Sequence, residues 1–386
     1  MKILFVAGEH PHFGATGGIG SYLAIIAPTL ARRGHEVHVL VCRSHSADDH
    51  MDGDVHLHLR PAHPVPALGR VRHLSLTHQR ISAARATAQG LRDLGVFDAI
   101  EAPEWMAPSL FLSNQDRARL VINLHTSIGV IAKHGDYLGR DARLADRLEN
   151  RTIRRARAVT SPSALLIDEM QGRGCPRDKV GIIRLPIDLA AWRPDAVLAQ
   201  DEPRVLVVGR LEERKGLDVL VRSMAMMPER LRQIPVVAVG RSSGQKDGLD
   251  YAGWVKGLAH DNDVRFEHHE ALPRTELAKH YATARVVAVP SRFESFSMAA
   301  VEGMASGTPV VCTRTCGAAE LIAGTEAGRT VPPEDPAALR DALLPYLEDA
   351  PAARRAGDLA RSIVQDNCDP ELVASQRERV YEECAS

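Results

Sequence analysis

Short apolar runs rich in valine, leucine and isoleucine punctuate the chain at 2–8 (KILFVAG), 36–42, 98–102, 120–125, 158–163 and 180–186. They recur at 204–210, 235–240, 286–291 and 308–313. Most are continuous rather than alternating, the pattern of strands buried on both faces, as in parallel sheets covered by helices. Between them lie segments with helical periodicity, for example 19–34, 142–156 and 275–284. Strand–helix alternation sustained over this length predicts a doubly wound α/β architecture.

The rhythm breaks at PIDLAAWRPDAVLAQDEP (186–203), which has three prolines, four acids and no clean period, and then restarts with RVLVVGR. Two similar α/β halves joined by a short linker are expected: residues 1–187, a linker at 188–203, and 204–368. Helices fill the tail, and 369–386 is expected to form a C-terminal helix. A length of 386 residues suits two domains. Net charge −1 argues against a protein driven by phosphate neutralisation on nucleic acid. The six cysteines include no C-x-x-C pair and read as thiols of a reducing compartment. With no secretion-type leader and no membrane-length apolar run, a cytoplasmic protein is expected, with peripheral contact at the inner membrane face left open. Residues 55–92 lack acids but carry six arginines, among them Arg60, Arg70, Arg72 and Arg80. They read either as a solvated, loop-rich face or as a surface for an anionic partner.

Three constellations can carry chemistry. GATGGIGSYL (14–23) follows the first strand and opens a helix. Gly17 and Gly18 either permit tight packing or let backbone amides approach an anion at the helix N-terminus. Neither a dinucleotide fingerprint nor a P-loop is present. In VVGRLEERKGLDVLV, Arg210 and Lys215 follow a strand end, where open α/β sheets bind ligands. They serve either as a phosphate clamp or as surface partners of Glu212 and Glu213. In PSRFESFSMAAVEGMASGTPVV, a loop with Glu294 precedes a helix starting near Ser297. The amides of Phe296, Ser297 and Met298 open that helix, and Glu302 lies inside it. A carboxylate buried there needs donors, which vicinal hydroxyls would supply. His125 ends the expected strand 120–125, and the pair Glu104 and Trp105 follows the strand 98–102. The D-x-D pairs at 52–54 and 261–263 and His56-x-His58 suggest no metal site.

Taken in order, GGIGSYLAIIAPTLARRGHEVHVL, SPSALLIDEM, VVGRLEERKGLDVLV and PSRFESFSMAAVEGMASGTPVV resemble retaining glycosyltransferase family 4. Glu294 and Glu302 stand as its E-x7-E pattern. The resemblance implies a GT-B fold, two Rossmann-like domains facing a central cleft. The N-terminal domain would bind the acceptor, the C-terminal domain the nucleotide sugar, and the last helix would cross back to the N-terminal domain. It implies that Arg210 and Lys215 hold the donor diphosphate and that Gly17 and Gly18 approach the phosphates or the acceptor. Glu294, with the amides of Phe296 to Met298, would bind the transferred sugar, and Glu302 the ribose. His125 would sit by the sugar, and Glu270 to Leu272 would pass the base. His10, His12, Glu104 and Trp105 would line the acceptor. Ser295 and Ser297 depart from the glycines common in the family, which bears on sugar identity.

The expected activity is retaining transfer of a hexose, of glucose or N-acetylglucosamine type, from a UDP-sugar to a hydroxyl of a small-molecule, glycan or lipid-linked acceptor. No cofactor and no metal are expected, the UDP-sugar being a co-substrate. A sugar-nucleotide epimerase or a non-catalytic nucleotide-sugar-binding subunit on the same fold is the alternative.

Overall fold

Valine-rich runs with no polar alternation form the central strands of two parallel sheets in a computed structural model. It describes residues 1–13, 17–44, 47–62, 65, 74–134, 139–176, 180–192 and 202–385. Residues 14–16 of the glycine loop, Arg70 and Arg72, and 193–201 of the expected linker lie outside the described residues. The chain divides into two units, 1–186 with 370–386, and 187–369.

In the first unit the strands are β1 (Lys2–Ala7), β2 (Glu36–Ser44), β3 (Asp48–Asp52), β4 (Val55–Pro61), β5 (Ala99–Pro103), β6 (Leu120–Asn123), β7 (Ala158–Ser161) and β8 (Val180–Ile182). They form an eight-stranded sheet of order β3-β4-β2-β1-β5-β6-β7-β8. Within this sheet the β3–β4 pair is antiparallel and the other pairs are parallel. Helices α1 (Gly18–Arg32), α2 (Ser75–Leu94) and α3 (Arg140–Arg155) belong to this unit, as does the C-terminal helix Pro370–Ala385, which packs on α1, β5 and β6. The reading of 55–92 as a loop-rich face does not hold: 55–61 is a strand and 75–94 a helix. Helix α2 hid from the pattern because it buries small or polar residues, including Thr77, Ser82, Ala84 and Thr87, where a long aliphatic stripe is the usual signal. Arg80 is fully buried there.

In the second unit the strands are β9 (Val205–Val208), β10 (Val236–Val239), the hairpin β11–β12 (Gln245–Lys246, Leu249–Asp250), β13 (Phe266–His269), β14 (Val286–Val289), β15 (Val310–Thr313) and β16 (Gly328–Val331). Six of them make a parallel sheet of order β13-β10-β9-β14-β15-β16. The core beneath it joins β9, β10 and β14 valines to Leu217, Leu220 and Met224 of α4 (Leu217–Ala225) and to Leu343 and Tyr346 farther on. Helices α5 (Arg274–Thr283) and α6 (Met298–Ala305) carry site residues. Trp192 of the expected linker and Ile187, expected at the end of the first domain, both belong to this unit. Trp192 is buried edge-on against the Tyr281 ring, centroids 5.3 Å apart, and the Ile187 amide donates to the Cys368 carbonyl at 2.9 Å. Among the described residues no helix is long and apolar enough to cross a membrane.

Candidate active site

Strands β9 and β14 are neighbours, so the loops after their carboxyl ends meet. Gly216 makes the approach possible. Its φ is +68°, and a Cβ there would lie 2.1 Å from the Pro290 carbonyl oxygen. Lys215 is thereby held against Glu294, with its ammonium in an ion pair on Oε1. Arg214 reaches the same oxygen at 3.4 Å and donates to the Phe293 carbonyl at 2.7 Å. The Ser291 hydroxyl donates to Glu294 at 3.2 Å. Burial pushes the Glu294 pKa up, but Lys215 and Arg214 outweigh it and hold the carboxyl below its ordinary value. Glu294 is therefore an ionised carboxylate facing two cations. Arg210 is exposed, its guanidinium 3.8 Å from Glu212, an open pair that leaves it available to a ligand. The sequence reading missed Arg214, which sits among the variable positions of G-R-x4-K-G. It also missed Arg292, which grips the buried Asp218 through two 3.0 Å contacts.

Helix α6 begins where expected. Ser297 caps it, its Oγ accepting the Ala300 amide at 3.4 Å. Phe296 is buried and Met298 half-buried. Ser297 has φ +80°, a left-handed backbone that disfavours side chains. Replacing it with glycine removes strain of about 1–3 kcal/mol and loses only a few tenths as a cap. S297G is expected to raise the melting temperature of this unit by roughly 1–10 °C, read by thermal unfolding. One turn on, Glu302 accepts the Tyr281 hydroxyl at 2.8 Å. Burial raises its pKa to about 7, against the Tyr281 hydrogen bond and Arg274. Glu270 is exposed and Leu272 half-buried in the segment joining β13 to α5.

In the first unit, β5 and β6 lie side by side, and His125 and Glu104 follow their carboxyl ends. Glu104 is fully buried and spends both oxygens on the His125 amide, at 3.0 and 2.9 Å. Burial raises its pKa to about 8, with the His125 amide opposing and Glu149 adding to the shift. Its role here is to set the backbone at His125, and it presents no surface to an acceptor. Glu149 of α3 accepts the Ile128 amide at 2.7 Å and the Met106 amide at 3.1 Å, tying the loops after β5 and β6 together. Arg80 pairs with it at 2.6 Å, both side chains fully buried, and lies over the Trp105 ring. The His125 ring is mostly buried, and burial, with Arg377 adding, pushes its pKa down to about 3, so it is neutral.

Gly17 caps α1 without a side chain, and the structure shows why. A Cβ there would sit 2.4 Å from the Glu9 carboxylate, which accepts the Gly20 amide at 3.0 Å. The chain's own acid thus occupies the helix N-terminus. Gly18 has open space where a Cβ would be. His10 is buried and His12 exposed, the His12 ring packing on Phe13 and His50. His56 and His58 stack with His38 on one sheet face. The nitrogens of His38 and His58 meet at 2.9 Å, and their other nitrogens contact Glu36 and Asp49.

Comparison with known proteins identifies the family of the chain. The family model for "Glycosyltransferase Family 4" matches residues 16–191, and that for "Glycosyl transferases group 1" matches 189–363. The D-inositol 3-phosphate glycosyltransferase of Thermomonospora curvata is 30% identical over 387 residues, covering 90% of this chain and 86% of its own. Among solved structures, the sucrose-phosphate synthase of Thermosynechococcus elongatus superposes with a TM-score of 0.81 over 99% of both chains at 23% identity. The Anabaena protein HepE in complex with UDP-glucose superposes with a TM-score of 0.72 at 19% identity, over 99% of this chain and 100% of its own. At those identities the structures speak for the fold. The extended sequence relationship speaks for descent: this chain belongs to glycosyltransferase family 4, with the two Rossmann-like domains of the GT-B glycosyltransferases.

Proposed function

We propose that the chain moves a hexose, of glucose or N-acetylglucosamine type, from a UDP-sugar to a hydroxyl of a small-molecule or glycan acceptor, with retention at the anomeric carbon. The observation that carries this reading is the Glu294 carboxylate held between Lys215 and Arg214 at the ends of β9 and β14, with Arg210 open beside them. A departing nucleoside diphosphate gains negative charge as its bond to the sugar breaks, and preorganised cations stabilise that charge. Lys215 and Arg210 take that role, so the reading calls for no metal. Glu294, already ionised, accepts sugar hydroxyls and is not the nucleophile; the leaving phosphate oxygen takes the acceptor proton. Glu302 accepts the ribose hydroxyls. The first unit takes the acceptor, with His125 as its catalytic residue. The UDP-glucose held by the Anabaena protein supports the donor class, and the named activity of the Thermomonospora relative supports a polyol acceptor.

The test is a thermal-shift screen of nucleotide sugars, followed by mass spectrometry of acceptor mixtures with the stabilising donor. A new glycoside supports the reading. Conversion of the donor to its epimer with no acceptor present selects the epimerase, and stabilisation with no turnover under any acceptor selects a binding subunit.

The two glutamates are expected to differ. E294A lowers turnover more than donor affinity, whereas E302A mainly weakens nucleotide binding. Glu302 adds a pH signature. Its raised pKa means that its contribution to folding is complete below the ordinary carboxyl range and is lost as pH rises through about 7. Donor binding runs the other way, because only the ionised carboxylate accepts two hydroxyls. UDP-glucose affinity is expected to rise about tenfold between pH 6 and pH 8 by calorimetry, and E302Q to flatten that rise.

A further inference from the structure

His125 ends a line of polar contacts that begins on the C-terminal helix. Arg377 is fully buried there and bonds Glu101 of β5 at 2.6 Å. The same nitrogen, Nη1, lies 3.4 Å from the Thr160 hydroxyl oxygen on β7. Thr160 donates to Oδ1 of Asn123, at the end of β6, at 3.1 Å. Nδ2 of Asn123 then faces Nε2 of His125 at 3.4 Å. Each step has a fixed sense. A guanidinium only donates, so the threonine oxygen accepts from it and sends its own proton on. The asparagine oxygen receives that proton, which turns the amide NH2 toward the histidine. Nε2 must therefore offer a lone pair, and a neutral imidazole with a lone pair on one nitrogen carries its proton on the other.

The surroundings agree. Tyr22 lies between Arg377, 4.7 Å from its ring centre, and the His125 ring, 6.0 Å centre to centre. Its hydroxyl is spent on Glu101 at 2.7 Å and is not turned to the imidazole. The nearby arginine charge disfavours an imidazolium. The backbone amide of His125 is held by Glu104, so backbone and ring are positioned by separate groups.

We infer that Asn123, braced by Thr160 and Arg377, is a positioning residue that holds His125 as the neutral tautomer protonated on Nδ1. His125 then meets its ligand as an N–H donor, suited to a sugar hydroxyl or ring oxygen, and has no lone pair at Nδ1 with which to act as a base there. The consequence for the sugar rests on the reading proposed above; the tautomer does not.

Long-range proton–nitrogen NMR of 15N-histidine-labelled full-length protein at pH 7, with His125 assigned by its loss in H125Q, reads the two ring nitrogens directly. A protonated Nδ1 and an unprotonated Nε2 support the inference; a protonated Nε2 overturns it. The spectrum is taken without substrate, so it reads the same whether or not the chain transfers a sugar. N123D puts an acceptor where the amide donor stood. It is expected to move the proton to Nε2 and to lower turnover on the order of tenfold, with a smaller change in donor KM. A folded N123D whose ring-nitrogen signals match the wild type overturns the role of Asn123. A loss of stability alone would not move those signals.

Discussion

Lys215→Ala is expected to cut turnover at saturating donor by roughly a hundredfold to a thousandfold, with a smaller change in donor affinity. The ammonium is a preformed charge, held in place by the Glu294 carboxylate before any ligand arrives. Its interaction with a diphosphate strengthens as the bond to the sugar breaks and charge collects on the leaving oxygen. An interaction that is stronger in the transition state lowers kcat and not merely binding. Arg214 still neutralises Glu294 in the variant, at 3.4 Å, so the loop after β14 keeps its anchor and the loss reports chemistry rather than unfolding. Single-turnover kinetics check it, and near-normal turnover would remove Lys215 from the charge-stabilising role. K215R, which keeps the charge but changes its reach, is expected to fall between wild type and alanine.

Arg80→Ala is expected to be the most destabilising change, costing about 3–5 kcal/mol. Its guanidinium and the Glu149 carboxylate are both fully buried, and removing one partner leaves the other charge without compensation. For a unit of this size that is a drop of roughly 6–20 °C in melting temperature. More than one pair is lost. Glu149 accepts the amides of Met106 and Ile128, and Met106 and Ala107 hold positive φ of 68° and 47°. That strained turn comes directly after β5, so weakening it loosens the segment that carries Glu104. The deficit is expected to depend on pH. Burial raises the Glu149 pKa to about 7 even with Arg80 opposing, and loss of Arg80 raises it further. A raised folded pKa gives stability below the ordinary carboxyl range and loses it as pH rises, so the gap to wild type should narrow from pH 8 to pH 5. Thermal unfolding across that range, with an R80M/E149M double variant as the control lacking both charges, checks both parts.

The second unit was the more legible in sequence. VVGRLEERKG and SRFESFSMAAVEG each place a strand end, a loop and a helix start within a short stretch, and the residues that act together are set by that local geometry. Arg210, Lys215, Glu294 and the helix start at Ser297 all lie where the pattern puts them, because parallel strands deliver their succeeding loops to one edge of the sheet. Arg377 was legible in principle: Val373, Ala374, Arg377, Tyr381 and Cys384 share one buried stripe at helical spacing. An arginine on such a stripe signals a buried partner, but nothing in the spacing says which.

By itself, then, the order of apolar runs, turns and charges determined the doubly wound architecture, the restart in the second half and the residues at the ends of β9 and β14. These depend on periodicity and on chain neighbours, which a linear sequence records. Only the tertiary structure decided that Glu104 is a backbone clamp, that Glu9 fills the helix N-terminus beside Gly17, and that Arg80 with Glu149 and Arg377 with Glu101 are buried pairs. It alone decided that Asn123 faces His125. The Glu104–His125, Arg80–Glu149 and Arg377–Glu101 pairs join residues that sheet order or helix packing brings together from separate segments, and Asn123 is turned toward its chain neighbour His125 only by Thr160 of another strand. A buried charge takes its meaning from the partner that desolvation forces it to find.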